Sequence, residues 1–112
     1  MLCFILGGTA AKADTPQADT MLASYYSDAL EGQPTASGEV YKKDGHTAAH
    51  RTLAFGTILY VCYHSCTQVL INDRNPNSKA DLDLSHAAAD DIGLTPDGYG
   101  VVGTKLARSN QS

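Results

Sequence analysis

Three side chains able to move protons recur at intervals along the chain: Glu39 in SGE, His50 in TAAH and Asp73 in NDR. A carboxyl group can protonate a leaving oxygen or take a proton from an attacking hydroxyl, and an imidazole can tune either step. Each also has a plainer reading. Asp73 follows an apolar run and could bond its own backbone in a turn. Glu39 could be a solvated charge at a strand end, and His50 a packed structural histidine. A metal role for His50 is weak, because His46, His64 and His86 are scattered without ligand spacing. In VCYHSCT, Cys62 and Cys66 flank three residues between two β-rich runs. A hairpin there brings the pair within disulfide reach, which is the expectation. The rival is a metal held by Cys62, His64 and Cys66, and it lacks a second Cys/His pair. No metal or other cofactor is expected.

A set of short strands must position these groups. MLASYYS (21–27) reads as a first strand from its tyrosines. Neighbours on a strand point to opposite faces, so one of Tyr25 and Tyr26 should enter the core. DALEGQPTASG (28–38) carries Gly32, Pro34 and Gly38 and reads as a loop. EVYKK is a short strand or extended segment, and DGH turns the chain. Residues 57–61 and 67–72 are β-branched runs that form a hairpin around the cysteine turn. NDRNPNSKAD (72–81) is a loop, and DLDL is short and extended. Ser85 caps a helix, HAAADDIG, which Gly93 terminates. YGVVGTKLAR (99–108) alternates as a final strand. The sum is an all-β domain of six strands and one short helix. So few residues could not shield two open sheet edges, so the strands are expected to close into a barrel.

At 112 residues the chain suits one domain, and 43% hydrophobic against 18% charged residues suits a folded one. The formal charge of -4, with no Lys/Arg cluster, argues against a nucleic-acid partner. An uncharged polysaccharide would fit. MLCFILGGTAAKA (1–13) has an apolar run and an Ala-Lys-Ala site, the pattern of an export signal cut near Ala13. The run is too short to span a bilayer, and Cys3 follows no convincing lipobox, so no membrane anchor is expected. Residues 14–20 then form a polar leader, 21–108 the domain and 109–112 a tail. A periplasmic or secreted monomer is expected, in a compartment where a Cys62–Cys66 disulfide persists.

ASYYS, TASGEVY, TAAHRTLAFGT, INDRNP and DLDLSHAAADDIGL follow one another in that order. The succession resembles the rare lipoprotein A family, a double-psi β-barrel related to expansins and family 45 endoglucanases, from about Ala23 to Arg108. The resemblance implies a lytic transglycosylase acting on peptidoglycan glycan strands. It would cleave the MurNAc–GlcNAc bond and leave 1,6-anhydro-muramyl ends. The alternative it leaves open is a non-catalytic, expansin-like module that binds or loosens wall polysaccharide. Carried over, the functional groups fall on Glu39, His50 and Asp73. Asp73 would act as acid and then base, Glu39 would orient the sugar or serve as a second carboxylate, and His50 would bond Asp73 or substrate. Tyr25 and Tyr26 could stack on sugar rings. Arg74 could pair with Asp83, while Asp83 and Ser85 read as structural. Two departures lie near the cleft: the cysteine turn shortens a hairpin, and Asn75 replaces the usual glycine. Asn is the next best residue for a positive φ, so the loop is expected to survive with a shifted backbone.

Overall fold

The computed structural model describes residues 18–109. The expected export signal, Cys3 and most of the leader and tail lie outside the described residues. Six strands run as β1 (Ala18–Tyr25), β2 (Thr47–His50), β3 (Ile58–Cys62), β4 (Cys66–Asp73), β5 (Leu82–Leu84) and β6 (Gly100–Arg108). They close in the order β1-β5-β2-β4-β3-β6. The pairs β1/β5 and β2/β4 are parallel, and the other four are antiparallel. Closure pairs every strand on both sides, which removes the exposed edges that so small a sheet could not otherwise cover.

Alternation fills the barrel. Leu82 and Leu84 are buried and Asp83 between them is not, and Val69 and Ile71 repeat the pattern on β4. With Ala23, Ala48, Val61 and Val102 they form one core. Truncating a side chain such as Leu82 there would cost about 2–5 kcal/mol. Helix α1 (His86–Ile92) packs Ala88, Ala89 and Ile92 onto that core. Its ends are set as the sequence suggests. The Ser85 hydroxyl accepts from Ala88 N, and Gly93 ends the helix at φ 82°. A Cβ at Gly93 would stand 3.0 Å from the His64 ring, so the position needs glycine for both conformation and space.

Two strand expectations shift and a third is settled. β1 begins at Ala18, three residues early, because Ala18, Asp19 and Thr20 pair with Lys105, Thr104 and Gly103 of β6. Part of the expected polar leader is therefore strand. EVYKK takes the extended form of the two expected, with a single bridge from Val40 to Pro34. Its Tyr41 is a buried plug whose hydroxyl accepts from His86 N at 3.2 Å. The strand that completes the six is TAAH, β2, between β4 and β5. Ala48 and Ala49 have little strand preference of their own, and pairing on both sides supplies it.

The cysteine hairpin forms as expected. Cys62 and Cys66 sit opposite each other across β3/β4 and are joined as a disulfide.

Candidate active site

Strand register builds the site. Ser24 on β1 is level with Asp83 on β5, Asp83 with Ala49 on β2, and Ala49 with Asp73 on β4. A bulge between Ala48 and Ala49 brings Ala49 level with Asp73. The row thus carries two carboxylates separated by one strand, roughly 10 Å of backbone, with only a methyl group between them. A cleft of about 350 Å³ opens over the row. Tyr25, Tyr26, Ser27, Leu30, Ala49, Asp73, Arg74, Asn75 and Asp83 line it.

Asp73 is held from both sides. Its Oδ2 accepts from the Tyr26 hydroxyl at 2.5 Å, and its Oδ1 accepts from Ala36 N at 2.8 Å and Arg74 N at 2.9 Å. Tyr26 is itself fixed by stacking on Tyr41, with centroids 4.4 Å apart and planes 11° apart. Burial first, then the hydrogen bond to Asp73, push the Tyr26 phenol far above its usual value, so it keeps its proton. Tyr25 turns the other way. It packs against the core, donates to Thr95 O at 3.0 Å and packs against the His86 ring. The alternation expected of the two tyrosines holds, although both reach the cleft.

Asp83, expected to be structural, is held by neighbouring side chains and also lines the cleft. The Ser24 hydroxyl donates to its Oδ1 in a short hydrogen bond, and Asn75 Nδ2 donates to its Oδ2 at 3.0 Å. Arg74 does not pair with it. The guanidinium lies 4.1 Å from the centre of the Phe55 ring and donates to the carbonyls of His50 and Asp73. Among the described residues, the arginine paired with a carboxylate is Arg51, bound to Asp81 at 2.9 Å. Asn75 keeps the loop with a backbone that does not enter the left-handed region. Among the described residues no non-glycine has a positive φ. Its buried side chain turns inward to Ala80 O and Asp83, which fixes the loop without a left-handed residue.

Glu39 and His50 stand around Asp73 rather than beside it. Glu39 accepts from the side chain of Asn72 at 3.0 Å and lines a neighbouring recess with Ser37, Phe55 and Asn72. The segment it ends, 35–39, donates Ala36 N to Asp73, and Ser37 N bonds Asn72 O. His50 points Nδ1 at its own following turn, accepting from Thr52 N and Leu53 N, both at 3.1 Å. Among the described residues no hydrogen bond joins it to Asp73. An Nδ1 that accepts puts the proton on Nε2. Burial, then the Arg51 charge, hold the imidazole below its usual value, with Asp81 opposing and Arg74 adding.

A family model described as lytic transglycolase matches residues 18–104. The endolytic peptidoglycan transglycosylase RlpA of Haemophilus influenzae is 48% identical over 85 residues, which cover 72% of this chain and 30% of that protein. Its namesake in Helicobacter pylori is 40% identical over 91 residues, covering 78% of this chain and 29% of the relative. This chain thus spans less than a third of either relative. Among solved structures, the apo expansin of Clavibacter michiganensis superposes with a TM-score of 0.69 at 19% identity. It covers 86% of this chain and 53% of its own, and at that identity it supports the barrel fold alone.

Proposed function

The chain belongs to the lytic transglycolase family, and on that premise we propose that it cleaves peptidoglycan glycan strands in the periplasm or outside the cell. The bond broken is MurNAc–GlcNAc, and the product carries a 1,6-anhydro-muramyl end. The observation that carries the reading is Asp73, held in the cleft with β2 between it and Asp83.

Asp73 donates its proton to the glycosidic oxygen as the C1–O bond breaks. It then accepts the proton of the C6 hydroxyl as O6 bonds to C1, which restores the acid. Tyr26 supports both states, because a phenol hydroxyl can donate to the carboxylate or accept from the carboxylic acid. Asp83 faces the same space and can stabilise positive charge as it builds on the ring. Glu39 and His50 act as positioning residues. Glu39 anchors Asn72 beside Asp73, and His50 shapes the turn that follows β2. Tyr26 and Arg74 line the path of the sugar, with Leu30 as an apolar rim.

The reaction class is read from the ends it leaves. Digest purified glycan strands, separate the fragments and weigh them. Anhydro-muramyl ends are expected. Ends carrying an added water would make the protein a hydrolase, for which the space over Ala49 between two carboxylates gives room. Strands retained by the protein without new ends would make it a binding module.

A further inference from the structure

A second recess lies along the outer face of β1 from the cleft. Leu22, Ser24, Ser78, Lys79, Ala80 and Tyr99 line its roughly 430 Å³. Ser24 and Ser78 both reach Asp83, so the recess and the cleft meet at that carboxylate. From Leu22 to Tyr26 is four residues of extended chain, about 13 Å. Two features are unused by the reaction described above. Tyr99 is 67% exposed, and Val101 beside it, level with Leu22 on β1, is 65% exposed. Among the described residues, Lys79 has no ion pair or hydrogen bond, although the chain carries a net charge of -4.

Resting on the glycan-cleaving reading, we infer that this recess is a further subsite, which takes a sugar ring bearing a carboxylate from the strand in the cleft. An exposed tyrosine face beside an apolar wall suits the apolar side of a pyranose. An unpaired ammonium at the rim suits the carboxylate. Ser24 and Ser78 supply hydroxyls at the junction with the cleft. A lactyl carboxylate on the sugar and a stem-peptide carboxylate share the chemistry Lys79 would recognise. The tyrosine wall favours the one attached directly to a ring.

The test uses the full chain, isotope-labelled and carrying Asp73→Asn so that ligand is not turned over. It is titrated with short and long carboxylate-bearing MurNAc–GlcNAc fragments, with neutral chitin oligosaccharides of matched length, and with free stem peptide. Long fragments are expected to move the amide signals of Leu22, Ser78, Lys79 and Tyr99 together with those around position 73. Tyr99→Ala should weaken every long fragment about three- to tenfold. Lys79→Met should weaken only those bearing a carboxylate. Movement around position 73 with a silent recess would overturn the subsite and leave the glycan reading standing. No movement anywhere would overturn both. Free peptide moving Lys79 as strongly as the glycan does would place the carboxylate on the peptide and overturn the sugar-ring occupant.

Discussion

The Tyr26 hydroxyl lies 2.5 Å from Oδ2 of Asp73, and the ring that carries it is stacked on Tyr41. Aromatic packing therefore fixes one of the three hydrogen bonds to Asp73. Replacing Tyr26 with Phe keeps the stack and removes the bond. We predict that Tyr26→Phe lowers kcat roughly tenfold or more, within the range expected for support of a proton-transfer group. The fold should survive, with unfolding free energy reduced by about 1 kcal/mol. Turnover on glycan strands and a urea titration measure the two effects. Unchanged kcat would detach Tyr26 from the reaction.

His50 gives a pH prediction with a definite sign. Its folded pKa lies below the unfolded value of about 6.5, so between the two the unfolded chain binds more protons. The stability this group confers is complete above pH about 6.5 and is lost as pH falls below that value towards the folded pKa. Asn can present Oδ1 where His presents Nδ1, so His50→Asn should keep the turn at Thr52 and Leu53 and abolish that part of the acid loss. Urea unfolding midpoints followed from neutral to mildly acidic pH test this. If His50→Asn instead stays folded and loses turnover, the imidazole takes part in the chemistry.

Ser85 makes several bonds from a fully buried position. Its hydroxyl donates to Gly45 O at 2.6 Å and accepts from Thr47 N and Ala88 N. Ser85→Ala removes the helix cap and strands the Gly45 carbonyl. A loss of about 1–2 kcal/mol is expected in urea unfolding. A loss below the error of the measurement would mean that water replaces the hydroxyl.

The disulfide closes a short loop, so its contribution through the unfolded chain is modest, about 2 kcal/mol. Cys62→Ala with Cys66→Ala should lower Tm by several degrees and leave turnover near that of the parent. The hairpin tip, expected near the cleft, lines neither the cleft nor the recess beside it, because it closes the far end of β3 and β4 from Asp73. A large loss of turnover in a folded double variant would show that the tip reaches the substrate.

Local chemistry made much of this fold legible. The β3/β4 hairpin carries its own β-branched runs and cysteine pair, and Ser85 and Gly93 mark the helix ends. β2 was hidden because Ala48 and Ala49 advertise nothing, being chosen for close packing between two strands. EVYKK stayed open between two forms: Val40 and Tyr41 favour strands, yet Tyr41 serves as a plug. The site divides in the same way. Asp73 stands in a recognisable motif, while DLDL shows a structural Asp83 without showing that the β1–β5–β2–β4 register also sets it across from Asp73. Register between strands distant in sequence is not written in any one segment. What the sequence did not show at Asn75 is that its side chain, rather than a left-handed backbone, fixes the loop.

The central claim is that the Asp73 carboxyl carries the proton in glycan cleavage. Asp73→Asn is nearly isosteric and can still accept from Tyr26, so it removes the acid with little disturbance. Wild type and Asp73→Asn should be digested side by side against glycan strands, with circular dichroism confirming that both are folded. Anhydro-muramyl ends are expected from the wild type, with their loss, by at least about a hundredfold in rate, from the variant. Anhydro ends formed at the wild-type rate by a folded Asp73→Asn protein would contradict the claim.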